Sequence, residues 1–225
     1  MTLATATRTN GRKAVVPGIT EETVPVEAID LAPLSQTIME IHIEGSTPLI
    51  VNSFGEKARR EMLAAMQVTG TTKRKSKSVR NPQEDYQQAR HLLSDGRDGL
   101  PAAAFKAAIV NAARYFAAVS MEQLKSAVTV LPDEGDLVWI EGQATMREDY
   151  VRVGNGLNKT TDLRYRPEFT KWKATLHVRY IAEVLTANSI VALVDAAGFG
   201  GVGEWRPTSP KAKNGSYGTF HVVRG

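Results

Sequence analysis

The sequence predicts an α+β fold: a modified ferredoxin-like (RRM-like) antiparallel sheet with helices on one face, a long basic insertion and an extended N-terminal arm. Two observations predict it. Apolar alternation at period two marks strands near residue 38, over 171–179 and at the C-terminus, while apolar residues at helical spacing mark helices between them. From residue 37 the order runs strand, helix, strands, then strand, helix, strand, which suits a split βαβ sheet.

The elements follow from local chemistry. Residues 1–34 hold Pro17, Pro25 and Pro33 and show no sustained period, so they read as an extended or disordered arm. Residues 35–225 read as a single domain with an insertion at 67–99. Ile38, Met39, Ile41 and Ile43 make the first core strand, and Gly45, Ser46 and Pro48 break it. Phe54, Ala58, Met62, Leu63 and Met66 fall at helical spacing. Pro82 near a first helical position, followed by Glu84 and Asp85, starts a helix that Gly96 and Gly99 would end. "GLPAAAFKAAIVNAARYFAAVS" is the clearest helix, with Phe105, Ile109, Ala112, Ala113 and Phe116 as its apolar stripe. A short helix, strands at 126–131 and around Val138–Ile140, and the strand "ATMREDYVRVG" follow. "RYRPEF", Arg164 to Phe169, reads as loop. Over 171–179, Trp172, Ala174, Leu176 and Val178 alternate with Lys171, Lys173, Thr175, His177 and Arg179, the pattern of a half-buried strand with a basic outer face. Thr186 caps a last helix with Ile190, Leu193 and Val194 buried and Gly198 beyond its end. "YGTFHVV" closes the sheet, with Phe220 and Val222 on one face.

Composition removes several classes of function. The 225 residues include no cysteine, which excludes disulfides, thiolate metal sites and a cysteine nucleophile. No apolar run nears the ~20 residues of a membrane-spanning helix, and the N-terminus lacks the apolar core of a secretory signal, so a cytoplasmic location is expected. His42, His91, His177 and His221 show no metal-binding spacing, and no cofactor is expected. No serine–histidine–aspartate order or paired-carboxylate motif stands out, so no catalytic residue is assigned.

The net charge of +4 is unevenly placed. Segment 67–82 carries Lys73, Arg74, Lys75, Lys77 and Arg80 with no acid, and 147–179 carries eight basic against four acidic side chains. Two basic zones suit a phosphate-backbone partner; a solvated lysine-rich loop is the plain alternative for the first. The strand face of Lys171, Lys173, His177 and Arg179 would track phosphates, or is simply an exposed polar face. Arg164 and Arg166 in "RYRPEF" would add charge beside an aromatic ring, or form a loop held by an Arg–Glu168 pair. The C-terminal segment "GFGGVGEWRPTSPKAKNGSYGTFHVV" is rich in glycine. Gly200, Gly201 and Gly203 would let backbone approach phosphate, Arg206, Lys211 and Lys213 would add charge, and Trp205 would stack on a base. The same segment reads equally as a tight helix-to-strand connection with Trp205 as a lid on the core. It is neither a Walker loop nor a dinucleotide fingerprint.

Two of these stretches resemble a known family. "GLPAAAFKAAIVNAAR", which contains Lys106, looks like the helix start of the RAMP proteins of CRISPR systems. "GFGGVGEWRP…NGSYGTFHVV" is similar to their C-terminal glycine-rich loop and last strand. The resemblance spans roughly residues 37–223. Three alanines, Ala102 to Ala104, replace the usual glycine and serine, and the "GEWRP" stretch is an addition. What the resemblance implies is RNA or single-strand binding, an insertion used as a thumb or clamp, and assembly of copies along the strand. The reading drawn is a non-enzymatic binder of single-stranded RNA or DNA, a homo-oligomer or ribonucleoprotein subunit, with Lys106 among the contacts. The basic groups and bare main chain would then converge across one sheet. A phage structural protein is one alternative reading; an RNA endonuclease using His42 is another.

Overall fold

The computed structural model describes residues 31–53, 59–60, 62–63, 66, 81–153, 160–210 and 214–224. Its organising element is the long strand β7 (Thr160–Ile181). The alternation read over 171–179 sets its faces: Trp172, Ala174, Leu176 and Val178 are buried, while Lys171, Lys173 and Arg179 are exposed. β1 (Gln36–Gly45) pairs antiparallel with β7, Ile41 opposite Leu176 and Ile43 opposite Ala174, so the apolar sides of both strands share one face.

β2 (Leu49–Ile50), β4 (Val128–Leu131) and β6 (Glu141–Val153) also pair with β7, and β8 (Phe220–Val222) pairs with β1, every pairing antiparallel. The spatial order β8-β1-β7-β4 is that of a split βαβ sheet. Its two crossover helices are α2 (Ala102–Ala112), which lies between β1 and β4 in the chain, and α4 (Ala187–Gly200), between β7 and β8. Both cover the apolar face: Phe105, Ile109, Ile190, Leu193 and Val194 join Leu176, Val178 and Trp172 in one core. Each large apolar side chain fully buried there contributes about 1.5–3 kcal/mol.

The remaining elements decorate this frame. α1 (Pro82–Gln88) is capped by Asn81, whose side chain accepts from the Gln83 amide at 3.1 Å. β3 (Gly99–Pro101) and β5 (Leu137–Trp139) form a separate two-stranded ribbon. A 3-10 turn over Ala113–Tyr115 ends α2, and α3 (Met121–Ala127) opens on a capping box between Ser120 and Gln123. Leu34–Gly225 packs as one compact unit. No helix among the described residues is long and apolar enough to cross a membrane.

Several local expectations change. The helix begun at Pro82 ends at Gln88, well before Gly96, because the Arg90 guanidinium grips the Asp98 carboxylate at 2.7 and 2.8 Å and closes a turn there. The "RYRPEF" stretch is strand: it lies within β7, paired residue for residue with β6, Arg166 opposite Arg147 and Pro167 opposite Met146. Proline hides the strand from a sequence reading because it cannot donate to a ladder, yet the Pro167 carbonyl still accepts from the Val51 amide at 3.0 Å.

The last helix continues past Gly198 to Gly200. A Cβ at Gly198 would overlap the Phe220 carbonyl, so glycine there serves the approach of β8 rather than a helix end. Residues 59, 60, 62, 63 and 66 are helical as expected, but Met62, Leu63 and Met66 are exposed, since α2 and α4 already cover the apolar face. The arm expected over 1–34 falls outside the described residues but for 31–34, which are exposed.

Candidate functional site

The two stretches that carry the family resemblance meet in space. α2 presents Ala104, Ala107, Ala108 and Asn111 to one wall of a cleft of about 210 Å³, and Val202, Gly203, Glu204, Arg206 and Thr208 of the glycine-rich segment form the facing wall. Asn52 and His91 also line it. Local chemistry explains the shape. Alanine leaves the helix surface slim, so the loop comes close without filling the gap.

The loop is held by its own backbone. The Val202 amide donates to the Gly218 carbonyl at 2.9 Å, Glu204 to Ile50 at 2.8 Å and Gly218 to Pro48 at 2.8 Å. Gly201 and Gly203 take positive φ, 69° and 75°. A Cβ at Gly203 would meet the Ile50 carbonyl and the Leu49 side chain. What glycine makes room for at this position is therefore the chain itself.

Polar groups are concentrated at the cleft. The Arg206 guanidinium donates to the Gly203 carbonyl at 2.7 Å, which fixes it across the loop. Burial holds the His91 imidazole below its ordinary value against the opposing Asp136 carboxylate, so the ring is neutral near pH 7. Beyond the cleft, Ala108, Asn111 and Thr208 also border a narrow gap, too small for a water molecule, that reaches Arg114 and Tyr115.

Trp205 faces a different neighbourhood. Half-buried and at φ 53°, it packs edge-on against Tyr217 with centroids 6.0 Å apart. The Arg147 guanidinium lies 5.4 Å from its ring and 4.9 Å from that of Tyr217; Arg166 lies 5.8 Å from Trp205. Burial pulls the Arg147 guanidinium down, but hydrogen bonds to Asp149, Glu168 and Tyr217 more than reverse it and hold its pKa above the ordinary value. Arg147 contacts Asp149 and Glu168 at 2.7 Å each, and Arg166 contacts Asp149 at 3.3 Å. The Arg–Glu168 pair weighed from sequence exists, but its arginine comes from β6 and not from the "RYRPEF" stretch.

The outer face of the sheet carries Lys171, Lys173, His177 and Arg179 as read from the alternation. Acids interleave them: Lys173 pairs with Glu44 at 3.4 Å, and His177 lies 3.8 Å from Glu40 and 3.5 Å from Asp133. Arg164 lies 3.7 Å from Asp162. Among the described residues Lys171 and Arg179 have no ion pair. His42 and His221, distant in sequence, stand on this same face beside Thr175 and Ser46. Lys106 sits on α2, on the opposite side of the sheet with the cleft.

The structure thus divides the sequence-derived candidates into three groups. Lys106, Arg206 and Gly200, Gly201 and Gly203 are at the helix side. Lys171, Lys173, His177 and Arg179 are on the outer face. Arg164, Arg166 and Trp205 belong to the β6–β7 hairpin, where Arg166 is buried in an ion-pair cluster beside the Trp205 ring. Convergence across one sheet is not what the fold produces, because the sheet itself separates the first two groups. Lys73, Arg74, Lys75, Lys77, Arg80, Lys211 and Lys213 lie outside the described residues. Asn52, His91, Asn111 and Glu204 were not signalled by the sequence: each is a lone polar residue brought to the cleft by tertiary contact. No group of three metal-ligating side chains occurs among the described residues.

The fold and the cleft define a class, a ferredoxin-like α+β domain with a glycine-rich loop facing its first crossover helix. Among solved structures, the chain is similar to Cmr6 from Pyrococcus furiosus, at 12% identity over 85% of this chain and 100% of that one, with a TM-score of 0.41. It is also similar to a chain in the type III-B Cmr-beta complex bound to cognate target RNA, at 12% identity over 84% of this chain, with a TM-score of 0.46; the match spans 59% of that chain's length. No protein-family model and no curated sequence matches.

Proposed function

We propose that the protein binds single-stranded RNA without cutting it, as a subunit of a ribonucleoprotein assembly, and that the strand enters the α2–loop cleft. One observation carries this reading: the two family-like stretches, far apart in sequence, form the two walls of one cleft lined by Arg206, Glu204 and neutral polar groups. Uncharged donors and acceptors suit base edges, and the arginine suits a phosphate. RNA is named over DNA on the resemblance of these stretches to the RAMP proteins.

Fluorescence anisotropy with a labelled 12-nucleotide single-stranded RNA at two salt concentrations tests it. Binding should weaken as salt rises, with a log–log slope of about −0.7 per phosphate contact. Absence of binding, or binding indifferent to salt, overturns the reading.

A second reading, RNA cleavage, is favoured by the gathering of His42, His177 and His221 on the outer sheet face. His42 is exposed, with Nδ1 3.0 Å from Thr175 Oγ1 and Nε2 3.4 Å from the Glu40 carboxylate. A histidine oriented by a carboxylate can move protons in a cleavage reaction. Incubation of the protein and of His42→Ala with structured RNA decides: cleavage lost in the variant supports catalysis, and intact RNA with both removes it.

A further inference from the structure

Two aromatic rings stand in the open beside the cleft. Tyr115 is 54% exposed and Phe199 69% exposed. Tyr115 ends the 3-10 turn after α2 and Phe199 lies on the last turn of α4, so the packing of the two crossover helices brings them together. Their centroids are 6.4 Å apart with planes at 80°. Such an edge-to-face pair satisfies one ring edge and leaves ring faces toward solvent.

Exposed aromatics at this density ask for an occupant. The surroundings say which. From Ala102 to Tyr115 the α2 surface carries Lys106 and Arg114 and no acid. The one acid of α4, Asp195, is taken by the Val222 amide at 2.9 Å and by Arg224 at 3.6 Å. Arg114 is exposed and donates to the carbonyl of Asn111, itself a cleft-lining residue, at 3.0 Å, which places it between Tyr115 and the cleft. The apolar area is two rings set among alanine, glycine and arginine, without the aliphatic stripe that a partner helix would need.

We propose that Tyr115 and Phe199 form a base-stacking platform for single-stranded nucleic acid, with Arg114 meeting the backbone phosphate between the platform and the cleft. This rests on the reading of the cleft as an RNA site and extends it to a second subsite. Stacking is tolerant of base identity, because every base has a π-face, so the platform supplies affinity without sequence preference.

The test uses the full chain and three probes: a 12-nucleotide oligoadenylate, an abasic oligomer of the same length, and the protein alone in sedimentation velocity. Tyr115→Ala with Phe199→Ala should weaken oligoadenylate binding about ten- to a hundredfold and leave the salt slope unchanged, since every phosphate partner is still in place. Abasic binding should stay at the wild-type level. Tyr115→Phe should keep wild-type affinity and Tyr115→Leu should weaken it several-fold, which separates stacking from mere apolar contact. Both side chains are exposed, so folding is checked simply by an unchanged unfolding midpoint. Wild-type affinity in the double variant overturns the platform while leaving the cleft reading intact. Loss of self-association with unchanged oligoadenylate binding also overturns it and assigns the pair to a protein interface. Failure of the wild type to bind any probe overturns the cleft reading, and the platform with it.

Discussion

The β6–β7 hairpin and the α2–loop cleft both carry arginines, but they surround them differently. At the hairpin, Arg147 and Arg166 meet Asp149 and Glu168 at 2.7–3.3 Å and lie over Trp205 and Tyr217, and Asp149 is only 2% exposed. At the cleft Arg206, and just beyond it Arg114, bond to the backbone carbonyls of Gly203 and Asn111, and neither forms a salt bridge among the described residues. An arginine held by carboxylates fastens the loop to the hairpin. An arginine held by a neutral carbonyl keeps its charge for a ligand. Counting basic residues does not distinguish them; the identity of the acceptor does.

That contrast can be broken most sharply at Asp149. Asp149→Asn leaves two guanidinium groups short of their buried counter-charge, and breaking such a pair costs about 3–5 kcal/mol. Urea unfolding should show this as a large fall in midpoint; a change within error would mean that the hairpin cluster does not fasten the loop. Trp205→Ala comes next. It removes the edge contact to Tyr217 and the ring beneath two arginines, a destabilisation of about 2 kcal/mol. If RNA affinity collapsed while thermal stability held, Trp205 would be a ligand contact after all.

Arg206→Ala should do the reverse. RNA affinity should fall several-fold and the salt slope should flatten by about 0.7, because the variant neutralises one phosphate fewer. Stability should change by no more than about 1 kcal/mol, the worth of one hydrogen bond. Equal effects of Arg206→Ala and Asp149→Asn on unfolding would erase the distinction between the two regions.

The smallest effect concerns His91. Burial disfavours its protonated form in the folded chain, whereas the unfolded chain takes up the proton near the ordinary value of 6.5. Its contribution to stability is therefore complete above pH 6.5 and declines as pH falls toward the lowered folded value. Between pH 7.5 and 5.5 the wild type should lose stability relative to His91→Gln, measured by urea midpoints at each pH. Parallel curves would show that the ring is not desolvated at the cleft wall.

Much of this was legible in the residues. Alternation over 171–179 set the faces of β7 because a strand exposes every second side chain whatever lies opposite it. Thr186 announced the start of α4, since a cap acts on amides two or three residues away. The apolar stripe of α2 was readable up to Ala112, whereas Ala113 and Phe116, read as its last members, fall in the 3-10 turn and in extended backbone past it. With these came the split βαβ order.

Tertiary packing alone decided which charges are free. Arg166 and Arg206 read alike as exposed basic residues near glycine or proline, yet one is buried against Asp149 and the other lines an open cleft. Tyr115 and Phe199, more than eighty positions apart, became neighbours only when α2 and α4 packed together. Helix spacing, strand alternation and capping act over a few residues and are written locally. The partner of a charge or a ring is set by which strands and helices lie side by side, and that follows from burying one shared core.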